Sequence, residues 1–428
     1  MSNRPEQPSA RPYRDGHRTS HWGVLVGSVL CVLALVVTAL YGWRIGWFAS
    51  MTGNDAAASS ATADAARNTP QQLARSAAPK PDPSPASKAH RMVNAMDMDT
   101  RIGQLVMAPL YAGNDPASLA SLIADRHVGS VLIIGKWTGG VASVRAAADQ
   151  LQGYAPGDNR LIISTDQEGG WVQHLIGPGF DRMPTAVDQG TMSTDQLRQS
   201  ASVWGSQLAA AGINVDLAPV LGTVVANRAA NAPIGALYRD FGLDAAGNAA
   251  QGTAFVQGMF DAGVQSAIKH YPGLGAVTGN TDFATDGILD TTTTLDGTEI
   301  KAFDTTIDKA DPAMVMMALA TYQAIDPNDP AVFSSIIIDG HLRGDLGYDG
   351  VVISDSMSAA AVSAYDTTQL GVKLVEAGGD LACIGDTNYV APILDGLSTR
   401  AASDPAFANK VTQSAIRVMT LKIKMGLA

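Results

Sequence analysis

The chain has 428 residues, 46% of them hydrophobic and 16% charged, a balance that excludes a disordered chain and suits one α/β barrel or two smaller domains. Its formal net charge of -11 excludes the broad basic surface of a nucleic-acid-binding protein and favours a neutral or small-molecule ligand. Cys31 lies in an apolar run and Cys383 in an expected strand, so the two cysteines are not expected to pair.

From Trp22 to Trp43 no residue is charged, and such a run is long enough to cross a bilayer. Trp22, Tyr41, Trp43 and Trp47 stand at its ends like an aromatic belt. Arg4, Arg11, Arg14 and Arg18 precede it and only Arg44 follows closely, which places the N-terminus in the cytoplasm and the remainder outside the cell membrane. The alternative is a cleaved signal peptide, whose apolar core is typically ~7–15 residues and so shorter than this one. Beyond the span the chain is rich in Ala, Ser, Thr and Pro, with Pro79, Pro81, Pro83 and Pro85 alternating, the composition of an extended stalk. The expected organisation is a cytoplasmic segment 1–21, a transmembrane anchor 22–43, a linker 44–88 and a folded domain 89–428.

From residue 89 onward, apolar runs at 104–107, 130–134, 161–165, 213–217, 265–268, 313–317, 351–354 and 380–384 alternate with amphipathic stretches such as 195–211 and 245–262. Strand–helix alternation implies parallel pairing. Eight such units predict an α/β fold of the (β/α)8 TIM-barrel type, with an open doubly wound sheet as the alternative.

Three of these strands end on ionisable groups. Val351-Val352-Ile353-Ser354 releases Asp355, Leu161-Ile162-Ile163-Ser164-Thr165 releases Asp166, and the run ending at Ile268 releases Lys269 and His270. The C-terminal rim of a barrel is where chemistry sits, although a lone strand-end Asp is more often a turn or cap residue. Metal and phosphate chemistry are not expected, since no His/Asp cluster has ligand spacing and no Gly-rich phosphate loop follows a strand; no cofactor is implied.

Taken with their neighbours, these motifs are similar to those of glycoside hydrolase family 3, in particular its single-domain β-N-acetylglucosaminidases. The similarity rests on Arg101-Ile102-Gly103-Gln104-Leu105, Asp166-Gln167-Glu168-Gly169-Gly170, Ala218-Pro219-Val220, Lys269-His270-Tyr271-Pro272-Gly273 and Ser354-Asp355, in that order. The resemblance implies that Asp355 is the nucleophile of a retaining glycosidase acting on a carbohydrate substrate, and that Asp166, Lys269, His270 and Arg239 hold the sugar. Arg239 lies in Ile234-Gly235-Ala236-Leu237-Tyr238-Arg239-Asp240-Phe241-Gly242, with two residues inserted relative to the family pattern. Such chemistry needs an ionised carboxylate and a second group that protonates the leaving oxygen. Lys269 is expected to lower the Asp355 pKa.

The departures fall on the proton donor. In the family the Lys-His loop is commonly followed by an Asp-Ser-His dyad that acts as acid and base; here those positions read Asn280-Thr281-Asp282. Asp282 is therefore the candidate acid, with Asp286 as another, and a solvated loop carboxylate as the plainer reading of Asp282. Trp171 and His174 stand where the family commonly has Arg, and Leu319 where His is common. The sequence thus predicts hydrolysis of a terminal β-linked N-acetylglucosamine or related sugar from a cell-wall or glycan fragment. Its rival is a catalytically impaired barrel that binds glycan or a partner protein.

The charge asymmetry around residues 22–43 makes the topology testable. Protease added outside the cell membrane should cut the Ala/Pro stalk and release the barrel. Full protection of the barrel there would reverse the assigned orientation.

Overall fold

The computed structural model describes residues 84–428; the expected cytoplasmic segment, membrane span and most of the linker lie outside them. Among the described residues no helix is long and apolar enough to cross a membrane. The strands of the main sheet are β1 (Val106–Tyr111), β2 (Ser130–Ile134), β3 (Ile162–Thr165), β4 (Val215–Asp216), β5 (Gln265–Tyr271), β6 (Met314–Met317), β7 (Val351–Ser354) and β8 (Ala382–Cys383). They form one sheet in the order β7-β6-β5-β4-β3-β2-β1-β8, and the named strand pairs are parallel. A parallel bridge between Ile353 and Leu381 joins its two edges, with Ser354 N donating to Leu381 O at 3.0 Å and Leu381 N to Val352 O at 3.1 Å. The sheet is closed, so the barrel expectation holds and the open alternative does not.

The seam between β7 and β8 is fastened by one carboxylate. Asp380 is fully buried and accepts from Arg343 at 2.5 Å, from Arg417 at 2.8 Å and from the Val352 backbone N–H at 2.9 Å. Arg343 comes from a π-helix (Ile336–Asp345) and Arg417 from the last helix (Pro405–Lys424).

Alternation along the strands sorts the apolar residues into two layers. Met107, Leu132, Ile162, Val215, Ala267, Met314, Met316, Val351, Ile353 and Cys383 fill the barrel interior. Residues such as Val131, Ile163, Ile268, Val315, Met317 and Val352 face the surrounding helices. The methionines of β6 are therefore core packing on both faces. The helices start where the sequence supplies caps: Ser193 and Gln196 form a reciprocal capping box before Thr194–Ala210, and Asp244 caps Ala245–Asp261.

Ordered structure reaches further towards the N-terminus than expected. Pro85–Ala95 is a helix, capped by the Ser84 side chain, so residues 85–88 belong to the domain rather than to the linker. Proline at a first helical turn lacks only an N–H that would have no intrahelical partner, and the alternating prolines conceal this.

The floor of the barrel holds an unusual lysine. Lys422 is fully buried, and its ammonium donates only to neutral amide oxygens, Gln104 Oε1 at 2.8 Å and Asn159 Oδ1 at 2.9 Å. Gln104, part of the first motif, is thus a structural residue on the face away from the mouth. Its neighbour Gly103 must be glycine, because a Cβ there would lie 2.3 Å from the His127 carbonyl oxygen. Burial without a counter-charge pulls the Lys422 pKa down to about 7. An unfolded lysine holds its proton up to about 10.4, so between those values the unfolded chain binds the extra proton and stability should rise with pH. Melting temperature measured from pH 7 to 9 should climb less steeply in Lys422→Met than in the native chain; parallel slopes would show that Lys422 is already charged in the fold.

Candidate active site

The site is built at the C-terminal ends of β3, β4, β5 and β7. Asp166 follows β3, whose chain then turns into a hairpin of Gln167–Gly169 against Val172–Gln173. Alternation along this extended stretch turns Asp166 and Glu168 to the same side. In β5, Lys269 and Tyr271 pair with consecutive residues Met316 and Met317 of β6, leaving His270 as an extra residue. A bulge of this kind re-aims side chains, and here Lys269 and His270 both serve the mouth. The loop after β4 is pinned by buried Asn231, which donates to Leu274 O and Val277 O, both at 2.7 Å, and accepts from Gly235 N at 2.6 Å. A bidentate Arg228–Asp240 pair braces the same loop, and Arg239 projects from it.

These groups form one buried ionic chain. The Lys269 ammonium, 1% exposed, lies 2.5 Å from Asp166 Oδ1 and 2.6 Å from Glu168 Oε1. Arg239 grips Glu168 with two donors, Nε at 2.8 Å and Nη2 at 2.7 Å, and gives Nη1 to the Pro233 carbonyl at 2.7 Å. Burial alone would raise the Glu168 carboxyl, yet Arg239 and Lys269 together hold it well below the usual carboxylate range. The same carboxylates outweigh burial at Lys269 and hold its proton more tightly than in water.

Asp355 stands at the end of β7 with its side chain 21% exposed. One oxygen accepts from the Ser356 N–H at 2.7 Å, and the other lies 3.8 Å from His270 Nε2. Burial, and then the negative charge of Asp282, push its pKa up to about 6, against the lowering effects of the Ser356 N–H, Lys269 and Arg239. Lys269 does lower the Asp355 pKa as expected, but burial and the Asp282 charge outweigh it. His270 is driven well below its ordinary value by burial and by the neighbouring Arg239 and Lys269, so it faces Asp355 as neutral imidazole.

The structure brings Asp166, Arg239, Lys269, His270 and Asp355 to one mouth, and sets exposed Asp282 on the loop after β5 as the largest charge influence on Asp355. Asp282 N donates to Asn280 Oδ1 at 2.9 Å, so the Asn280 amide caps its own loop. Leu319, where a family His is common, is buried in the core. Sequence reasoning assigned no role to two carboxylates. Glu168 is the hub of the ion chain, and its signal was the two-residue spacing from Asp166 in an extended segment. Asp216 ends β4 fully buried, accepting the Gln167 N–H at 3.0 Å on one oxygen. Burial raises its pKa well above the ordinary range, which favours its protonated form beneath the chain. Among the described residues no cluster of His, Cys, Asp or Glu could hold a metal.

Residues 97–421 match the glycosyl hydrolase family 3 N-terminal domain. The chain belongs to glycoside hydrolase family 3. It is 31% identical over 319 residues to beta-hexosaminidase LpqI of Mycobacterium tuberculosis, covering 72% of this chain and 79% of that protein. Among solved structures, the beta-N-acetylhexosaminidase of Beutenbergia cavernae is 40% identical with a TM-score of 0.74, over 77% of this chain and 99% of the other. A family 3 beta-N-acetylglucosaminidase from Paenibacillus sp. is 30% identical with a TM-score of 0.68, over 78% and 63% respectively.

In this family 3 barrel the ion chain is a stability element as well as a scaffold for the site. Glu168→Gln would leave two buried cations sharing one carboxylate, and removing one partner of a buried pair costs roughly 3–5 kcal/mol. Urea unfolding should register a loss of that order. A loss below ~1 kcal/mol would mean that water already screens the chain.

Proposed function

We propose that the protein hydrolyses a terminal β-linked N-acetylglucosamine or related sugar from glycan or cell-wall fragments, with retention of configuration. The observation that carries this reading is a strand-end carboxylate at the barrel mouth, Asp355, set 3.8 Å from His270 beside the Lys269–Glu168–Arg239 ion chain, with exposed Asp282 on the loop after β5. Retaining cleavage uses two carboxyl groups in different environments. With substrate bound and one proton on the pair, carried by Asp282, ionised Asp355 attacks the anomeric carbon and forms a glycosyl ester while Asp282 gives that proton to the departing glycosidic oxygen. Asp282, now ionised, then takes a proton from water as that water attacks the ester, and Asp355 leaves as carboxylate. Asp166, Lys269, His270 and Arg239 hold the sugar: Asp166 accepts from ring hydroxyls, while Lys269, neutral His270 and Arg239 donate. The activities by which the relatives are named, beta-hexosaminidase and beta-N-acetylglucosaminidase, support the sugar class. The uncharged run at 22–43 and the Arg bias before it support a barrel held outside the cell membrane by one span.

A second reading is favoured by the Asn280 amide, a neutral loop cap at the position where relatives of this type carry an acid. Under it the barrel binds glycan and turns it over poorly. A missing general acid costs ~10²–10⁴-fold on a leaving group that needs protonation.

Two substrates separate these readings: a dinitrophenyl N-acetylglucosaminide, which needs little protonation, and an unactivated disaccharide. Asp355→Asn should abolish hydrolysis of both, and an activated fluoro-sugar should label Asp355 in the native chain. Asp282→Asn should impair only the disaccharide. Intact disaccharide turnover in that variant would return Asp282 to an ordinary loop residue. Because the nucleophile must be ionised, kcat/KM on the activated glycoside should fall as pH drops through about 6. Asp282→Asn removes the like charge and should move that inflection to lower pH; an unmoved inflection would place the titration elsewhere.

A further inference from the structure

Beside the ion chain lies a cavity of about 700 Å³, lined by Lys136, Trp171, Gln173, His174 and Arg182 among others, with no carboxylate in its wall. In a chain with a net charge of -11, a mouth cavity bounded by two cations and no acid is a local inversion of sign. Among the described residues neither cation is in an ion pair. Arg182 donates to Gln173 Oε1 at 3.2 Å and to the Gly170 carbonyl, both neutral. Those bonds fix the guanidinium on the hairpin and leave its charge uncompensated. Lys136 is exposed at the end of β2. Trp171 is 74% exposed, an indole face in water at the cavity rim and a suitable platform for a sugar ring. His174 joins this cavity to the sugar-holding residues, its Nε2 standing 3.9 Å from Asp166 Oδ2, the oxygen that Lys269 does not take.

We propose that this cavity is a subsite for an acidic saccharide group, a carboxylate or sulfate ester held by Lys136 and Arg182 while its ring stacks on Trp171. The inference rests on the glycosidase reading for the sugar held at Asp166, and it names the chemistry of what is attached: an anionic substituent on that sugar or on the adjoining ring. Guanidinium and ammonium donors bind such oxyanions by charge-assisted hydrogen bonds, and a wall free of carboxylates adds no repulsion.

Calorimetry on the full-length Asp355→Asn protein tests this without turnover. One arm compares a disaccharide carrying a uronate ring beside N-acetylglucosamine with its uncharged methyl ester; the other compares 6-sulfated with unsulfated N-acetylglucosamine. At low salt the acidic member of at least one pair should bind about 5- to 10-fold tighter, and the arm that responds locates the charge. The preference should shrink at high ionic strength and disappear in Lys136→Glu. Equal affinities within both pairs, or a preference that Lys136→Glu leaves intact, would overturn the subsite. Absence of glycosidase activity with the binding preference retained would overturn only the catalytic reading.

Discussion

One buried ammonium organises the mouth of this barrel. Lys269 rises from β5 into a place with 1% exposure and meets carboxylates that both come from the chain after β3. Arg239, delivered by a different loop, closes on the far side of Glu168. Charges removed from water this completely must be paired or the fold loses several kcal/mol. The pairing requirement therefore fixes where the loops after β3 and β4 lie relative to β5. Net stability gained from such a chain is modest; what it supplies is position.

The same arrangement explains the electrostatic character of Asp355. Both nearby cations already face carboxylates, so little positive field is left over for a third acid. Burial and the Asp282 charge then dominate, and the carboxyl sits near the middle of the physiological range. His270, which would ordinarily be the adaptable charge in such a place, is kept neutral by burial and by the same two cations. The site thus leaves shielded Asp355 as its titrating carboxyl, with the permanent charges locked beneath it.

Much of this architecture was legible from the residues. The β-branched runs at 130–134 and 351–354 coincide with β2 and β7, because each is bounded by residues that cannot continue a buried strand. β1 was harder: Pro109 reads as a break in a strand, yet it pairs opposite Leu132 within the barrel. The strand ends bearing Asp166, Lys269 and Asp355 pointed to the mouth because abrupt change from apolar to ionised residues marks a rim. What could not be read was competition among charges. Glu168 looks like one polar residue in a polar loop until its neighbours from β5 and the loop after β4 are known, and the sign of the Asp355 shift is set by burial and the Asp282 charge, which outweigh both cations. The register slip at His270 and the buried Lys422 are likewise products of tertiary contact.

The Asp380 fastening bears on how the chain is made. β8 fits between β1 and β7, and the carboxylate just before it is satisfied partly by Arg417, near the C-terminus. During synthesis the first seven strands can pair only as an open ribbon with two unprotected edges, whatever local order they gain. The seam carboxylate gains its third donor, Arg417, only when the final helix has left the ribosome. Until its edges are paired, the nascent chain exposes the very surfaces that invite association with other chains.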